Sequence, residues 1–201
     1  MKRLISLLLT LTFLLAFSSC GKEQEETNIT TKENTTTIET TTQEPEVTTD
    51  VIITPSQPVT ISVTCNSTTS SGKLLTKCSA ASNGQNVVPG ITWAPVDGAT
   101  AYALYILDES ASNWMHMKAT TTATEIKEGS SIQGQYKGPY PPSGNHTYVI
   151  YVLALDKAPS SLPGNFDSTN QSIDTLKTQI SANILGQGQT TVMYANGDNN
   201  V

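Results

Sequence analysis

The segment from Gly138 to Asp156 constrains the fold of this chain more than any other. It reads GPYPPSGNHTYVIYVLALD, a proline-rich loop followed by a long β-forming run. Side chains alternate across a strand, so the residues at 146, 148, 150, 152 and 154 share one face. The chain has two histidines: His146 lies where this loop meets the strand, and His116 lies inside WMHM. The pattern predicts a small polar pocket at the mouth of a β-structure.

Five further segments have the pattern of strands. They are Val59–Cys65, Gly90–Pro95, Thr100–Leu107, Asn113–Ala119 and Thr190–Ala195. The third of them is almost continuously apolar, which favours a central strand buried on both faces. In the fourth, alternation puts Met115 and Met117 together on the face opposite to Trp114, His116 and Lys118.

One late segment has helical periodicity instead. The apolar residues that share a helix face are Ile173, Leu176, Ile180 and Ile184. Their spacing predicts an amphipathic helix that begins near Ser172 and is closed by Gly186. Many strands, one helix and one last strand predict a mainly β fold, an antiparallel β-sandwich with a C-terminal helix and a short final strand.

The N-terminus has the features of a signal peptide. Lys2 and Arg3 precede the apolar run Leu4–Phe17, which is too short for a comfortable membrane span and ends at small residues before Cys20. Small residues followed by cysteine resemble the processing site of bacterial lipoproteins. We therefore expect a signal peptide over residues 1–19, a lipid on Cys20 and attachment to the extracytoplasmic side of a membrane in the bacterial cell envelope. Plain secretion is the alternative.

A segment rich in Thr, Glu and Gln separates Cys20 from the first strand. Residues 20–58 hold few apolar side chains and almost no aromatic ones, so they cannot bury enough surface to offset their ordering entropy. We predict a disordered tether over residues 20–58 and one folded domain over residues 59–201.

Charge and cysteine content narrow the functional classes. The formal net charge is −6 with 14% charged residues and no basic stripe, which argues against a nucleic-acid partner. With Cys20 lipidated, Cys65 and Cys78 remain. An exported domain favours a disulfide between them, and two buried free thiols are the alternative. No CxxC spacing occurs, so neither a redox role nor a zinc site is predicted from the cysteines. The leading prediction includes no metal.

Three stretches, taken in order, carry a family resemblance. NGQNVVPGITWAPVDGATAYALYILDES has a turn, a Trp-containing strand and a strand ending in an acidic motif; WMHM and GPYPPSGNHTYVIYVLALD follow. They resemble the acidic strand, the Trp-x-His-Trp strand, the Gly-Pro-x-Pro-Pro loop and the Gly-x-His-x-Tyr element of the phosphatidylethanolamine-binding protein family, in its bacterial Raf-kinase-inhibitor-like branch. The resemblance covers about Leu74 to Ala195 and includes the C-terminal helix and Tyr194.

The resemblance implies a small anion-binding pocket on the surface of a β-sandwich. The residues it points to are Asp108, Ser110, Trp114, His116, Gly138, Pro139, His146 and Tyr148. Imidazole, phenol and backbone N–H groups are donors that suit a phosphate or carboxylate. Asp108 is expected to orient a histidine by accepting its second N–H. The expected ligand is a small anion or a phospholipid headgroup, without a cofactor.

Two positions depart from the family's pattern. Many relatives have Asp-Pro-Asp at the end of the acidic strand, whereas this chain has Asp108-Glu109-Ser110, so Ser110 offers a hydroxyl in place of a carboxylate. Met117 stands where an aromatic residue often follows the histidine. Both departures bear on ligand choice.

The leading prediction is a binding protein and not an enzyme. Inhibition of a protease or another protein partner follows from family analogy alone. Asp108, His116 and His146 also allow a two-His-one-carboxylate metal site or an acid–base hydrolase, although neither GxSxG nor HExxH occurs. A structural adhesin would show exposed aromatic platforms, whereas Trp93 and Trp114 fall inside strands.

Overall fold

The computed structural model of this protein describes residues 57–201. The predicted signal peptide, the lipid site at Cys20 and almost all of the predicted tether lie outside these residues. Within the described range, no helix combines the length and the apolar character needed to cross a bilayer.

The described part of the chain contains nine strands and one α-helix. The strands are β1 (Val59–Thr60), β2 (Val63–Cys65), β3 (Ile91–Trp93), β4 (Ala101–Asp108), β5 (Trp114–Thr121), β6 (Glu125–Ile126), β7 (Gln133–Tyr136), β8 (Asn145–Leu155) and β9 (Ile184–Ala195). The helix, α1, spans Ile173–Gln179. Two short 3-10 helices cover Thr76–Cys78 and Glu109–Ala111.

These strands form two sheets. The large sheet has the order β1-β9-β8-β4-β5-β7, and the small sheet has the order β2-β3-β6. The strands pair antiparallel except for β1 and β9, which are parallel. All eight residues of β4 are buried, which confirms the predicted two-sided burial from Ala101 to Leu107, whereas Thr100 precedes the strand and is exposed. A continuous apolar run is what a strand covered on both faces needs.

An inner core fills the space between the sheets. From β8 it takes Tyr148, Ile150, Val152 and Ala154, which are four of the five residues that alternation places on one face. The fifth, His146, is not part of this core. From the small sheet it takes Val63, Cys65, Ile91, Trp93 and Ile126. The rings of Trp93 and Tyr102 meet edge-on across this core, with centroids 5.3 Å apart. The mainly β sandwich is thereby confirmed.

An outer core covers the opposite face of the large sheet. The sheet contributes Tyr105, Leu107, Val149 and Leu153, the helix contributes Leu176, and Ile180, the extended residue that follows the helix, joins them. Ile173, three positions before Leu176 on the same helix face, packs half-buried against this core. The predicted apolar face therefore holds for Ile173 and Leu176, whereas Ile180 lies just beyond the helix.

The helix is shorter than predicted and the last strand is longer. α1 has 7 residues, and Ile184 opens β9, which has 12 residues and is the longest described strand. Gly186 pairs with Val59 of β1 and does not close a helix. At Gly188 a side chain would collide with the Ile61 backbone, so these glycines allow β1 to lie against β9.

The predicted strand Val59–Cys65 is divided between the two sheets. β1 pairs with β9, and β2 pairs with β3. The alternation nevertheless holds, since Ile61, Val63 and Cys65 are all buried. Alternation reports which face of a segment meets the core, but it does not report which strand lies beside it.

Both cysteines of the domain are free thiols. Cys65 and Cys78 are buried in the inner core and are not bonded to each other, so the predicted disulfide is wrong. Burial raises the pKa of Cys65 to about 11 and that of Cys78 to about 12. Both therefore stay protonated at neutral pH and pack as small apolar side chains.

Candidate functional site

Three strands bring polar side chains together at one end of the large sheet. Asp108, the last residue of β4, pairs with Trp114 at the start of β5 and with Tyr148 near the start of β8. A cavity of about 580 Å³ opens there, and we call it the pocket. Of the eight residues that the resemblance predicts, seven line the pocket and Pro139 does not.

A β-bulge in β5 places His116 in the pocket. The ladder pairs Ile106 with Met117. It then pairs Leu107 with Met115, which leaves His116 as the extra residue. Met117 consequently lies in the inner core and Met115 in the outer core. The prediction that the two methionines share a face is wrong, because alternation breaks at the bulge.

Asp108 holds His146 through its ring Nδ1. That atom lies 2.7 Å from Asp108 Oδ2, and the Ser110 N–H donates to Asp108 Oδ1 at 2.9 Å. Asp108 is only 2% exposed, so its carboxylate is shielded from water. An ionised carboxylate only accepts, so Nδ1 carries the proton and Nε2 remains for a ligand. The structure thus gives Asp108 the orienting contact that was expected of it.

His116 is held in the same way by a backbone carbonyl. Its Nδ1 lies 2.8 Å from the Lys137 carbonyl oxygen, which can only accept. Nε2 therefore carries a lone pair in the neutral ring. Burial lowers the pKa of His116, and the bond to Lys137 opposes this only in part. The ring is neutral at neutral pH.

Tyr148 is the third polar group on the inner wall of the pocket. Its ring contacts both imidazoles, with centroids 5.3 Å from His116 and 6.3 Å from His146. Within residues 57–201 its buried hydroxyl makes no hydrogen bond of regular geometry. Burial raises the pKa of Tyr148, and the charge of Asp108 adds to this. The phenol therefore keeps its proton and can donate it to a ligand.

The rim of the pocket carries an ion pair that the sequence did not predict. Lys137 Nζ donates to Asp167 Oδ2 at 2.7 Å, and Trp114 Nε1 donates to Asp167 Oδ1 at 3.0 Å. The bond from Lys137 lowers the pKa of Asp167, although partial burial opposes the shift. The Asp167 carboxylate is therefore ionised at neutral pH, and it accepts from two side chains of the pocket.

Ser110 has a more limited role than a free hydroxyl would have. Its Oγ accepts from the Thr147 N–H at 3.0 Å, which ties the end of β4 to the start of β8. The O–H proton is still available to a ligand, because a hydroxyl both accepts and donates.

Gly138 and Pro139 fasten the proline-rich loop to the segment behind it. The Gly138 N–H donates to Asn86 Oδ1 at 2.6 Å, so it is not the free donor that was expected. A side chain at this glycine would collide with the backbone of residues 78–80. The Pro139 carbonyl accepts from the Ala80 N–H at 3.0 Å. Glycine is required here for close approach of two backbones.

Comparison with known proteins identifies the family. The sequence model of the phosphatidylethanolamine-binding protein family matches residues 65–195. The chain belongs to this family. The UPF0098 protein of Methanothermobacter thermautotrophicus is 26% identical to it over 137 residues, covering 57% of this chain and 87% of that protein.

Two solved structures of family members share the fold. The phosphatidylethanolamine-binding protein homolog CT736 of Chlamydia trachomatis matches with a TM-score of 0.55 and 18% identity, covering 68% of this chain and 98% of that one. Escherichia coli YbcL, described as a new member of the mammalian family, matches with a TM-score of 0.51 and 21% identity, covering 67% of this chain and 98% of that one. At these identities the likeness concerns the fold alone, and it agrees with the predicted β-rich architecture.

Six residues of the pocket were not among those that the family resemblance supplied. They are Ala111, Lys137, Tyr140, Pro141, Pro142 and Asp167. Three of them, Ala111, Lys137 and Tyr140, are sequence neighbours of predicted residues, and Pro141 and Pro142 follow in the same proline-rich loop. The loops that hold the predicted residues were therefore the available signal. Asp167 lies between β8 and α1, far from every predicted residue, and no local pattern points to it. Of the two departures from the family's pattern, Ser110 lines the pocket, whereas Met117 packs in the inner core.

The alternative metal site would need Asp108 and both pocket histidines to face one point. Within residues 57–201, no three His, Cys, Asp or Glu side chains are grouped so that they would hold a metal ion. Asp108 already binds the Nδ1 of His146, and the Nδ1 of His116 binds a carbonyl. Among the described residues, Asp108 thus supports His146 and is not placed as a third ligand beside the two histidines.

Proposed function

We propose that this chain is a membrane-anchored extracytoplasmic binding protein whose pocket takes a small anion of the phosphate or phospholipid-headgroup type. One observation carries the proposal: His116, His146 and Tyr148 share the pocket, and each keeps one polar atom for a ligand. Both rings are held at Nδ1, so their Nε2 atoms are preorganised. Three such groups around one cavity suit the oxygens of a phosphate.

The charge of the pocket makes anion binding depend on a proton. Asp108 and Asp167 each bring one negative charge, and Lys137 brings one positive charge. With neutral imidazoles the pocket therefore has one net negative charge, and both Nε2 atoms present lone pairs. We expect anion binding to be coupled to the uptake of a proton, either by a histidine or by the ligand itself. That proton then forms a hydrogen bond between a histidine Nε2 and an oxygen of the anion.

The cavity has room for more than a phosphate group. Part of its wall is formed by the apolar or aromatic residues Trp114, Tyr140, Pro141 and Pro142. Tyr140 is 60% exposed, which leaves an aromatic ring at the entrance. Apolar walls with a few convergent polar groups are typical of sites for amphiphilic ligands. A phosphate ester with an apolar part should therefore bind more tightly than inorganic phosphate.

The location is proposed from the N-terminal sequence. Lys2 and Arg3, an apolar run and Ser18-Ser19-Cys20 resemble a lipoprotein signal with Cys20 as the lipidated residue. A diacylglyceryl group and an amide-linked acyl chain would supply the two anchors that stable membrane attachment needs. The domain would then work at the surface of a bacterial membrane.

Titration calorimetry tests the ligand class. At pH 8, phosphoethanolamine, inorganic phosphate and acetate are titrated into the purified chain in two buffers of different ionisation enthalpy. We expect binding that takes up a proton, and about tenfold or more weaker binding by His146→Ala, because a charge-assisted bond is lost. Asn145→Ala is the control, since it changes an exposed neighbour on the same strand. Absence of binding for all three anions, or equal affinity of His146→Ala, would contradict the proposal.

The proposal contains no catalytic step. The serine of the pocket, Ser110, already accepts the Thr147 N–H through its Oγ. Asp108 is assigned to orienting His146, and His146 is assigned to ligand binding. Incubation with p-nitrophenyl phosphate and p-nitrophenyl acetate checks this assignment. Turnover that disappears in His146→Ala would favour the acid–base hydrolase built on Asp108, His116 and His146.

The anchor is tested separately from the pocket. Expression in bacteria with labelled palmitate should give a labelled chain whose N-terminal peptide has the mass of lipidated Cys20. The variant Cys20→Ala should lose the label and leave the membrane fraction. Membrane association that persists in this variant would contradict the lipid anchor without affecting the ligand proposal.

A further inference from the structure

The Asp167 carboxylate accepts hydrogen bonds from two side chains that could otherwise donate to a bound anion. It accepts from Lys137 Nζ at 2.7 Å and from Trp114 Nε1 at 3.0 Å. Both donors belong to residues that line the pocket, and Lys137 is the lysine among them. One charged and one neutral donor around a carboxylate make a small anion site that the chain fills with its own side chain.

The backbone holds Asp167 in this position. Its N–H donates to the Met115 carbonyl at 3.0 Å, and the Met115 N–H donates to the Ser168 carbonyl at 2.9 Å. Asp167 has a φ of 56°, in the left-handed region that aspartate and asparagine tolerate better than most residues. The carboxylate is therefore presented by a turn docked on β5, and not by a freely moving side chain.

Lys137 has a second link to the pocket through its backbone. Its carbonyl accepts from His116 Nδ1 at 2.8 Å, while its ammonium lies half exposed beside Asp167. The ammonium can turn towards the cavity without disturbing the contact that holds His116, because only the flexible side chain moves.

We propose that Asp167 is an internal competitor for Lys137 and thereby sets the affinity of the pocket for anions. A ligand anion gains the ammonium only when it displaces the Asp167 carboxylate. This inference rests on the anion pocket proposed above, and it identifies Asp167 as a specificity-determining residue that does not itself bind the anion. It predicts that removing the charge of Asp167 strengthens anion binding, whereas a residue that merely supports the wall would weaken binding when changed.

The variant Asp167→Asn isolates this charge. Asparagine tolerates the left-handed backbone, and its carbonyl can still accept from Trp114 Nε1, so the turn is preserved. Titration of the full chain with inorganic phosphate should show about fivefold tighter binding than wild type, since an exposed ion pair is worth up to about 1 kcal/mol. The control is Asp174→Asn, which makes the same charge change on an exposed helix residue and should leave the affinity unchanged.

Lys137→Met keeps the inference falsifiable through a second route. This substitution should weaken phosphate binding. Adding Asp167→Asn to it should not increase the affinity for phosphate, because the Lys137 ammonium for which Asp167 and the ligand compete is absent. Thermal unfolding checks that each variant is folded.

The outcomes separate this inference from the proposed function. If wild type binds phosphate and Asp167→Asn binds it equally or more weakly, the competitor role is wrong and the anion pocket stands. The same holds if the gain persists without Lys137, or if Asp174→Asn produces it. Binding by Asp167→Asn alone would support the competitor role in its strongest form, and binding by neither protein would overturn both proposals.

Discussion

The pocket and the C-terminal clip are two polar clusters of one domain, each built around a lysine–aspartate pair. We define the clip by its residues Lys73, Thr76, Asn83, Asp198 and Asn200. Lys73 Nζ lies 3.1 Å from Asp198 Oδ1, and Lys137 Nζ lies 2.7 Å from Asp167 Oδ2. In residue type and distance the two ion pairs are closely similar.

The two clusters differ in how many of their polar atoms lack a hydrogen-bond partner. Asp198 also accepts from the Ala195 N–H and from Asn200 Nδ2, and its carbonyl accepts from Thr76 and Asn83. In the pocket, the Nε2 atoms of both histidines and the Tyr148 hydroxyl have no regular partner within residues 57–201. A buried polar group without a partner costs about 1–3 kcal/mol. We expect a ligand of the pocket to offset this cost at Tyr148, whereas the polar groups of the clip are already paired within the chain.

The largest expected effect comes from Gly138→Ala, which changes a residue that lines the pocket. The added methyl group would collide with the backbone of residues 78–80. We expect the free energy of unfolding in urea to fall by about 3 kcal/mol, because the site is overpacked, and phosphate binding to be lost. In the control Gly144→Ala, the surroundings are open and only a φ of 72° resists alanine, at a cost of about 1 kcal/mol. Equal losses would show that close packing at Gly138 does not support the wall.

Asp198→Ala should break the clip and spare the pocket. It removes the acceptor of Lys73, Ala195 N–H and Asn200, so we expect the free energy of unfolding to fall by about 2 kcal/mol. Phosphate affinity at 25 °C should stay within about twofold of wild type, because distant sites act independently. A parallel loss of affinity would mean that the clip and the pocket form one cooperative unit, and the contrast between them would fail.

Two tyrosines provide a matched test of the difference. Tyr194 Oη is hydrogen-bonded to Ser79 Oγ at 3.0 Å, whereas the Tyr148 hydroxyl has no regular partner. Tyr194→Phe should lower the free energy of unfolding by about 1 kcal/mol and leave phosphate binding unchanged. Tyr148→Phe should leave stability unchanged or raise it, and it should weaken phosphate binding about fivefold. The reverse pattern would place the ligand at Tyr194.

The smallest effect is a pH dependence of stability that belongs to the pocket alone. Burial lowers the pKa of His116 below its value of about 6.5 in the unfolded chain. The stability conferred by the neutral ring is complete above this pH. It is lost as the pH falls below about 6.5, because the unfolded chain takes the proton first. Chemical denaturation between pH 7.5 and 5.5 should show this decline, and His116→Gln should reduce its slope. Asp198→Ala should not change the slope, since the clip contains no histidine.

Much of the fold could be predicted because its signals are local. The burial of β4 on both faces follows from an apolar run, and the inner face of β8 follows from alternation over one strand. The spacing of Leu176 and Ile180 likewise indicated a helix. Its end was wrong because Ile184 and Gly186, which continue the apolar and glycine pattern, pair instead with Leu155 and Val59.

The site could be predicted only in part. The resemblance pointed to Asp108 and His146, and the structure joins them at 2.7 Å. It could not indicate that the Gly138 N–H is used by Asn86 or that Asp167 reaches Lys137, because these contacts join residues 52 and 30 positions apart. Nothing in a single sequence couples such positions.

What the sequence determined by itself were the faces of the strands, the rigid loop before His146 and the set of residue types available to the pocket. These depend on backbone alternation and turn chemistry, which act over a few neighbouring residues. The tertiary structure alone decided the bulge at His116, the free thiols at Cys65 and Cys78, and the position of Asp167. Each of these depends on which distant segments pack together, and burial and hydrogen bonding across the fold then determine what the side chains can do.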